Sequence, residues 1–459
     1  MRGKGRVTNL TEGTIWKQLV LFALPLMASN LFQQLYNTAD SLVVGRFVGS
    51  TALAAVGSTG ALTGLIIGFF MGMGTGSGVV ISQYYGAKNY EKLEKSVHTA
   101  MALAIAFGVV LAVVGVILSP YMLKWMSTPD DVMDQATLYL RIYFIGIISL
   151  TVYNIGAGIL RAVGDSKRPL YYLVISGVTN VVLNLIFVIV FHLGVAGVAL
   201  ATICSQVLSS VLVIYNLTHT SGPFRLHLKE IRFDKEILWQ IAKIGLPAGV
   251  QSMVISLSNI VIQSKVNMFG SAAMAGHSAA SRIDSFVYMP LNAISLATTT
   301  YTAQNLGAGK MDRVKKGTRT SILIGLGATI AVGWIAGFAA KPLIEMFSDE
   351  QEVIFFGIKS LRMRCMTYFL FVFTDVLAGV IRGSGNAVVP MAISMINMCA
   401  VRILWLMIAM PFWTDFNVIV FSYPLTWGLA SLCYLIYYLK GGWLKKWKQL
   451  HEEPVMAEE

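Results

Sequence analysis

Charge is scarce in this sequence. Of its 459 residues only 13% are Asp, Glu, Lys or Arg and 56% are hydrophobic, whereas soluble domains carry about 25% charged residues. A water-soluble fold is thereby excluded. Cysteine is rare too: Cys204, Cys365, Cys399 and Cys433 all fall inside apolar runs without CxxC spacing, so neither a disulfide framework nor a zinc site is indicated. None of the six His is paired at metal-ligand spacing, and no metal role is assigned to them. The start MRGKGR is basic, but no small-residue cleavage site follows it. The apolar run at 19–44 is too long for a signal-peptide core and reads as an uncleaved first span.

What the sequence has in abundance is long apolar runs, each near the twenty residues that cross a bilayer core. They predict an all-α, multi-pass membrane protein with twelve spans, at 16–45, 52–82, 97–118, 136–161, 169–192, 195–218, 237–267, 272–304, 320–341, 354–382, 388–412 and 416–439. The net charge of +12 then describes topology rather than a nucleic-acid partner. Roughly 25 of the 35 Lys and Arg fall on one side of these spans, which the positive-inside rule makes the cytoplasm. The opposite loops hold Asp130, Asp131, Asp134, Asp349, Glu350, Glu352 and Asp415. Both termini are expected in the cytoplasm and the protein in the inner (plasma) membrane, with lipid as its surroundings and no obligate protein partner.

The chain also repeats itself. At an offset of 221, Gln83, Gly86 and Ala87 of QYYGAKNYEKLEK meet Gln304, Gly307 and Ala308 of QNLGAGKMDRVKK. At the same offset NIGAGILRAVGDSKRP at 154–169 meets DVLAGVIRGSGNAVVP at 375–390, and one residue out of step Leu24 and Pro25 meet Leu246 and Pro247. Such agreement marks a duplication. Six spans per half put both copies in the membrane in the same orientation, related by an axis along its normal, with a cleft between lobes and alternating access by rocking. The expected organisation is an N-terminal lobe at 1–218, a polar cytoplasmic linker at 219–236, a C-terminal lobe at 237–440 and a cytoplasmic tail at 441–459.

The first-span segment ALPLMASNLFQQLYNTADSLVVGRFVGSTALAAVG, the QYYGAKN turn, GILRAVGDSKRP and HLGVAGVALAT together resemble the multidrug and toxic compound extrusion (MATE) transporters over nearly the whole chain. The likeness is greater to the DinF-like and related prokaryotic branches than to the NorM-like branch, whose seventh span typically holds an acid; this chain has none between 246 and 266. The resemblance implies no enzyme and no cofactor. It implies multidrug efflux by antiport: export of small organic, often cationic or amphipathic compounds against inward Na+ or H+.

Acids inside a membrane are costly and each needs a reason; within the expected spans they are Asp40, Asp284 and Asp375. Asp40 lies about 23 residues past Lys17, or roughly 35 Å along a helix, in the outer part of the first span. The resemblance implies a coupling role for it, because DinF-like members carry an aspartate fifteen residues after a first-span proline, as Pro25 and Asp40 stand here. Pro25 is also a point of helix bending. Asn180 and Asn184 are four apart and share one helical face at a depth compatible with Asp40. The DinF-like pattern places an Asp where Asn184 stands; an amide pair beside one carboxylate can still coordinate Na+ through oxygens. Thr202, and with it Gln33, Tyr139 and Asn154, match positions lining the N-lobe cavity of such relatives. Asp284 and Asp375 either line the C-lobe side of the cleft and attract cations, or are paired structurally, for example with Arg402.

The run MGMGTGSG at 71–78 lacks the Lys-Ser/Thr ending of a phosphate loop and lies in an apolar span, so close helix packing is expected of it. A flippase for lipid-linked saccharides is the alternative function; it favours a more basic central cavity than this chain offers. An integral-membrane transferase would need a clustered metal or nucleophile set, and Asp130 with Asp131 lacks a partner motif.

Overall fold

In a bilayer no water satisfies the main chain, so each span must bond its own N–H and C=O groups, and helices follow. The computed structural model describes residues 9–48, 50–126 and 128–444; residues 445–459 of the expected tail lie outside them. Twelve long helices follow in order among the described residues: α1 Ile15–Val43, α2 Ser50–Gly86, α3 Tyr90–Trp125, α4 Asp130–Ala162, α5 Lys167–Leu185, α6 Gly194–His219, α7 Lys235–Asn267, α8 Ser271–Gly307, α9 Met311–Phe338, α10 Gln351–Gly383, α11 Val388–Ala409 and α12 Phe416–Leu439. No strand occurs among these residues. Wider π-helical turns extend α1 over Val44–Val48 and α5 over Ile186–Val190, and interrupt α11 at Met395–Val401.

Eleven of the twelve are apolar enough to span a membrane by length and composition alone; α8 is not among those. It carries His277, Arg282, Asp284 and many Ser and Thr, yet Ala279, Ala280, Leu291, Ala297 and Tyr301 bury one side of it in a core. Of its polar residues His277, Ser295, Thr298, Thr299 and Thr302 are buried in protein, whereas Ser278, Arg282 and Ser285 are exposed. Elsewhere large apolar side chains such as Val110, Ile117, Ile145, Val178, Leu323, Ile335 and Met407 stand exposed, as a hydrocarbon solvent requires.

The duplication is written in the backbone. Lys88 and Gly309 both adopt positive φ, at 56° and 70°, as do Gly164 and Gly385, at 96° and 88°; each pair is 221 residues apart. Asn89 caps α3 by accepting from the Lys92 N–H at 3.1 Å.

Among the described residues two compact units form, one from 9 with 28–242 and the other from 10–27 with 243–444. In the first, α3 packs along α4, and α4 along α2 and α6. In the second, α8 packs against α9 and α10, and α10 against α12. The division crosses α1 after Met27 and α7 after Ala242 rather than falling in the 219–236 linker. Leu10, Leu19, Phe22 and Leu26 accordingly share a buried cluster with Leu291, Ile294 and Ala297 of α8.

The MGMGTGSG run is continuous helix inside α2. The close packing expected of it is not found at Gly78, beside which a methyl group would meet nothing within 4 Å, and at Gly74 it would meet only Ile155 at 3.8 Å. Tight interfaces occur elsewhere: a Cβ on Gly333 would lie 2.5 Å from the Cys365 carbonyl oxygen, and one on Gly115 would lie 2.1 Å from the Phe144 ring.

Candidate functional site

In the first unit, Asp40 near the end of α1 meets the Asn184 amide of α5, which is bonded in turn to that of Asn180. Asn180 and Asn184, one helical turn apart, are both fully buried. The Asn184 side-chain N–H group donates to Asp40 Oδ1 and, at 3.1 Å, to Asn180 Oδ1. Asn180 Nδ2 in turn reaches Thr202 Oγ1 of α6 at 3.5 Å, and that hydroxyl donates to the Val198 carbonyl at 3.0 Å. One atom is left over: Asn184 Oδ1 is buried and meets no protein hydrogen-bond donor among the described residues. The structure thus gathers a carboxylate, two side-chain amides and a hydroxyl, groups whose oxygens hard cations accept.

The three remaining first-lobe candidates are not all there. Tyr139 packs against the cluster of Val43, Val44, Val188, Val195 and Val198, residues that flank Asp40, Asn184 and Thr202 along their helices. Gln33 is exposed on α1, seven residues before Asp40 and so on the same face. Asn154 is separate: its amide is turned back to the Leu150 carbonyl at 2.9 Å, and it lines a cavity of about 20 Å³ with Ile66, Phe70 and Ile147. Pro25 stands inside α1 without ending it.

In the second unit the two acids take different partners. Asp284 accepts from Arg364 at 3.3 Å and from the Tyr368 hydroxyl at 2.9 Å. Arg402, named from the sequence as an example of a partner, is instead bonded to Thr426 at 2.8 Å and lies over the Tyr423 ring at 4.9 Å. That pairing is corrected: the guanidinium that neutralises Asp284 belongs to Arg364, itself only 3% exposed. Asp375 accepts from the Tyr288 hydroxyl at 2.9 Å. Around these acids Tyr288, Tyr368, Phe371, Tyr423 and Trp427 stack, with Trp427 5.0 Å from Tyr368 and 5.1 Å from Phe371. Arg364 went unnoticed in the sequence because α8 and α10 meet only in three dimensions, and no short spacing announces a partner 80 residues away.

One Glu/His group also escaped sequence reading. Glu94, His98 and Glu230 bring ligand atoms within 4.8 Å of one another. Both ring nitrogens of His98 are already engaged, Nδ1 with the Glu94 carbonyl at 2.7 Å and Nε2 with the His227 N–H at 2.9 Å. The group therefore reads as a tie between linker and α3.

Comparison with known proteins follows the same lines. The MatE family model matches residues 25–186 and 247–408, two stretches displaced by 222 residues at both ends (247 − 25 and 408 − 186). The probable multidrug resistance protein YoeA of Bacillus subtilis (strain 168) is 31% identical over 402 residues, covering 86% of each chain. The probable multidrug resistance protein YpnP of the same strain is 31% identical over 397 residues, covering 86% of this chain and 88% of its own. A crystal structure of MATE in the bent conformation shares the fold, with a TM-score of 0.90 over 97% of this chain and 99% of that one, at 23% identity.

Proposed function

From the premise that this chain belongs to the MatE family, whose members are multi-pass membrane transporters and not enzymes, we propose that it is an antiporter that exports small organic compounds, cationic or amphipathic, in exchange for inward Na+ or H+. The relatives' names as multidrug resistance proteins support the substrate class, and they do not favour a lipid-linked saccharide flippase. The inner membrane, with both termini in the cytoplasm, is the location that the Lys/Arg asymmetry supports.

The observation that carries the coupling proposal is the stranded Asn184 Oδ1 beside Asp40. In the arrangement observed, the Asn184 N–H group turns its positive end to the carboxylate and its own oxygen away. When the ion arrives it takes over that task. The amide can then turn over and offer Oδ1, so that Asp40, Asn180, Asn184 and Thr202 all present oxygen. A proton on Asp40 can use the same turned amide as its acceptor, which is why the ion is left to experiment. In the second unit, the aromatic shelf around Asp375 suits flat, partly charged organic molecules.

The test is transport in proteoliposomes with a Na+ gradient or a pH gradient imposed separately. Asp40→Asn is expected to abolish driven export under whichever gradient powers the wild type, while binding of a fluorescent organic cation persists. Full retention of export in the variant under both gradients would remove Asp40 from coupling.

A further inference from the structure

The start of each half's first helix is held by residues of the opposite half, and the two sets of contacts correspond. Around the α2–α3 turn, Lys92 Nζ donates to Glu236 Oε1 at 2.8 Å and the Tyr84 hydroxyl donates to Gln240 Oε1 at 2.8 Å, both on the first turns of α7. Thr99 and His98 add bonds from the N–H groups of Asp234 and His227 at 3.1 and 2.9 Å. Around the α8–α9 turn, Arg313 donates to the Gly13 carbonyl at 2.9 Å and to Gln18 Oε1 at 3.0 Å. Asn305 and Lys310 donate to the carbonyls of Leu10 and Thr11 at 3.1 and 3.0 Å.

The same positions serve on both sides, though in different pairs: Lys92 takes Glu236 and Tyr84 takes Gln240, whereas Arg313 takes Gln18 and Asn305 takes the Leu10 carbonyl. At the repeat offset of 221, Lys92 matches Arg313 and Tyr84 matches Asn305; at the 222 that relates the prolines, Gln18 matches Gln240. Incidental surface contacts have no reason to duplicate on both sides. The compact units follow the same lines, since 10–27 belongs with the second half and 235–242 with the first.

We propose that the α2–α3 and α8–α9 turns are two copies of one clamp, each carrying the start of the other half's first helix as part of its own rigid unit throughout transport, with Lys92 and Arg313 as positioning residues. The contacts stand by themselves; only their place in a cycle rests on the transport reading. If both clamps stay closed, any movement between units is taken up where the chain passes from one to the other, near 27–28 of α1 and 242–243 of α7. Pro247 softens the second crossing, because a proline has no N–H to offer the carbonyl four residues before it, here that of Lys243. The clamps differ in strength. Lys92 and Glu236 are 39% and 60% exposed, whereas Asn305 and Leu10 are fully buried, so the α8–α9 clamp is the tighter one.

Amide hydrogen exchange on the purified protein, read beside transport, tests this. Arg313→Ala should speed exchange at 10–18 while the rest of the second unit stays unchanged. Turnover should fall about fivefold, as expected when two or three modest hydrogen bonds no longer hold a helix end, with affinity for a fluorescent organic cation such as ethidium intact. Lys92→Glu should do the same, more weakly, at 235–242, and adding Glu236→Lys should reverse it. The proposal is overturned if exchange at 10–18 or 235–242 in the wild type accelerates on adding Na+, acid or ethidium, because the clamps would then open during the cycle. It is equally overturned if Arg313→Ala speeds exchange throughout the second unit, leaves exchange at 10–18 unaltered, or frees that segment with no loss of turnover. A wild type that shows no driven export would refute the transport reading, leaving the exchange results to decide the clamp itself.

Discussion

An aspartate survives inside a membrane helix only where other groups replace the water it has lost, and the three candidates here solve that problem in three ways. Asp40 is met by an amide, Asp284 by the guanidinium of Arg364 and Asp375 by a phenol. Only the second is an ion pair, so its charge is spent within the protein. Asp375, bonded to a neutral donor, is the better candidate for attracting a cation across a medium of low dielectric. Asp375→Asn is therefore expected to lower export of cationic substrates more than that of neutral ones, measured as transport rates at matched protein content. Equal losses for both classes would assign Asp375 a structural role. The Asn180–Asn184 pairing was readable from a four-residue helical spacing; the Arg364 pairing was not, because its partner lies on a helix that becomes a neighbour only on folding.

Elements in this protein meet through small residues, yet composition alone does not locate every tight contact. In the glycine-rich stretch of α2, Gly72 and Gly76 are buried, whereas a Cβ on Gly78 would meet nothing within 4 Å. Gly333, in an unremarkable part of α9, touches the main chain of α10 so closely that any Cβ would collide with the Cys365 carbonyl. Substituting it forces the two backbones apart, and overpacking of this kind costs about 1–3 kcal/mol. Gly333→Val is expected to lower the Tm in a thermal-unfolding assay in detergent, with Gly327→Ala, which meets no neighbour within 4 Å, as the control. Matching Tm values for the two variants would show that α9 and α10 can yield at that point. Helix ends were more legible than helix faces: the turns at Lys88 and Gly309, and at Gly164 and Gly385, fall where the repeat placed them, since a positive φ is a local demand of the turn.

On the scale of the whole molecule, the duplication and the charge asymmetry make separate statements. The first appears in the matched stretches 25–186 and 247–408 and in paired backbone angles. The second predicts that the linker around Pro223 lies in the cytoplasm. A single cysteine at Ser221, in a background without the four native cysteines, is expected to resist a membrane-impermeant thiol reagent in intact cells and to react once the membrane is opened. Labelling from outside would reverse the orientation.

The helical spans, the two-fold repeat, the family and the candidacy of Asp40, Asn180, Asn184 and Thr202 were all legible in the sequence itself. They rest on hydropathy, on spacing along one helix, or on residues matched in order. Three features were decided only by the tertiary structure: Arg364 as the partner of Asp284, the tie of the linker to α3 through His98, and the division of α1 and α7 between two units. Each depends on which helix faces which. In a membrane every helix is apolar enough to face lipid or protein, so the pattern that tells inside from outside in a soluble fold says little here about the identity of its neighbour.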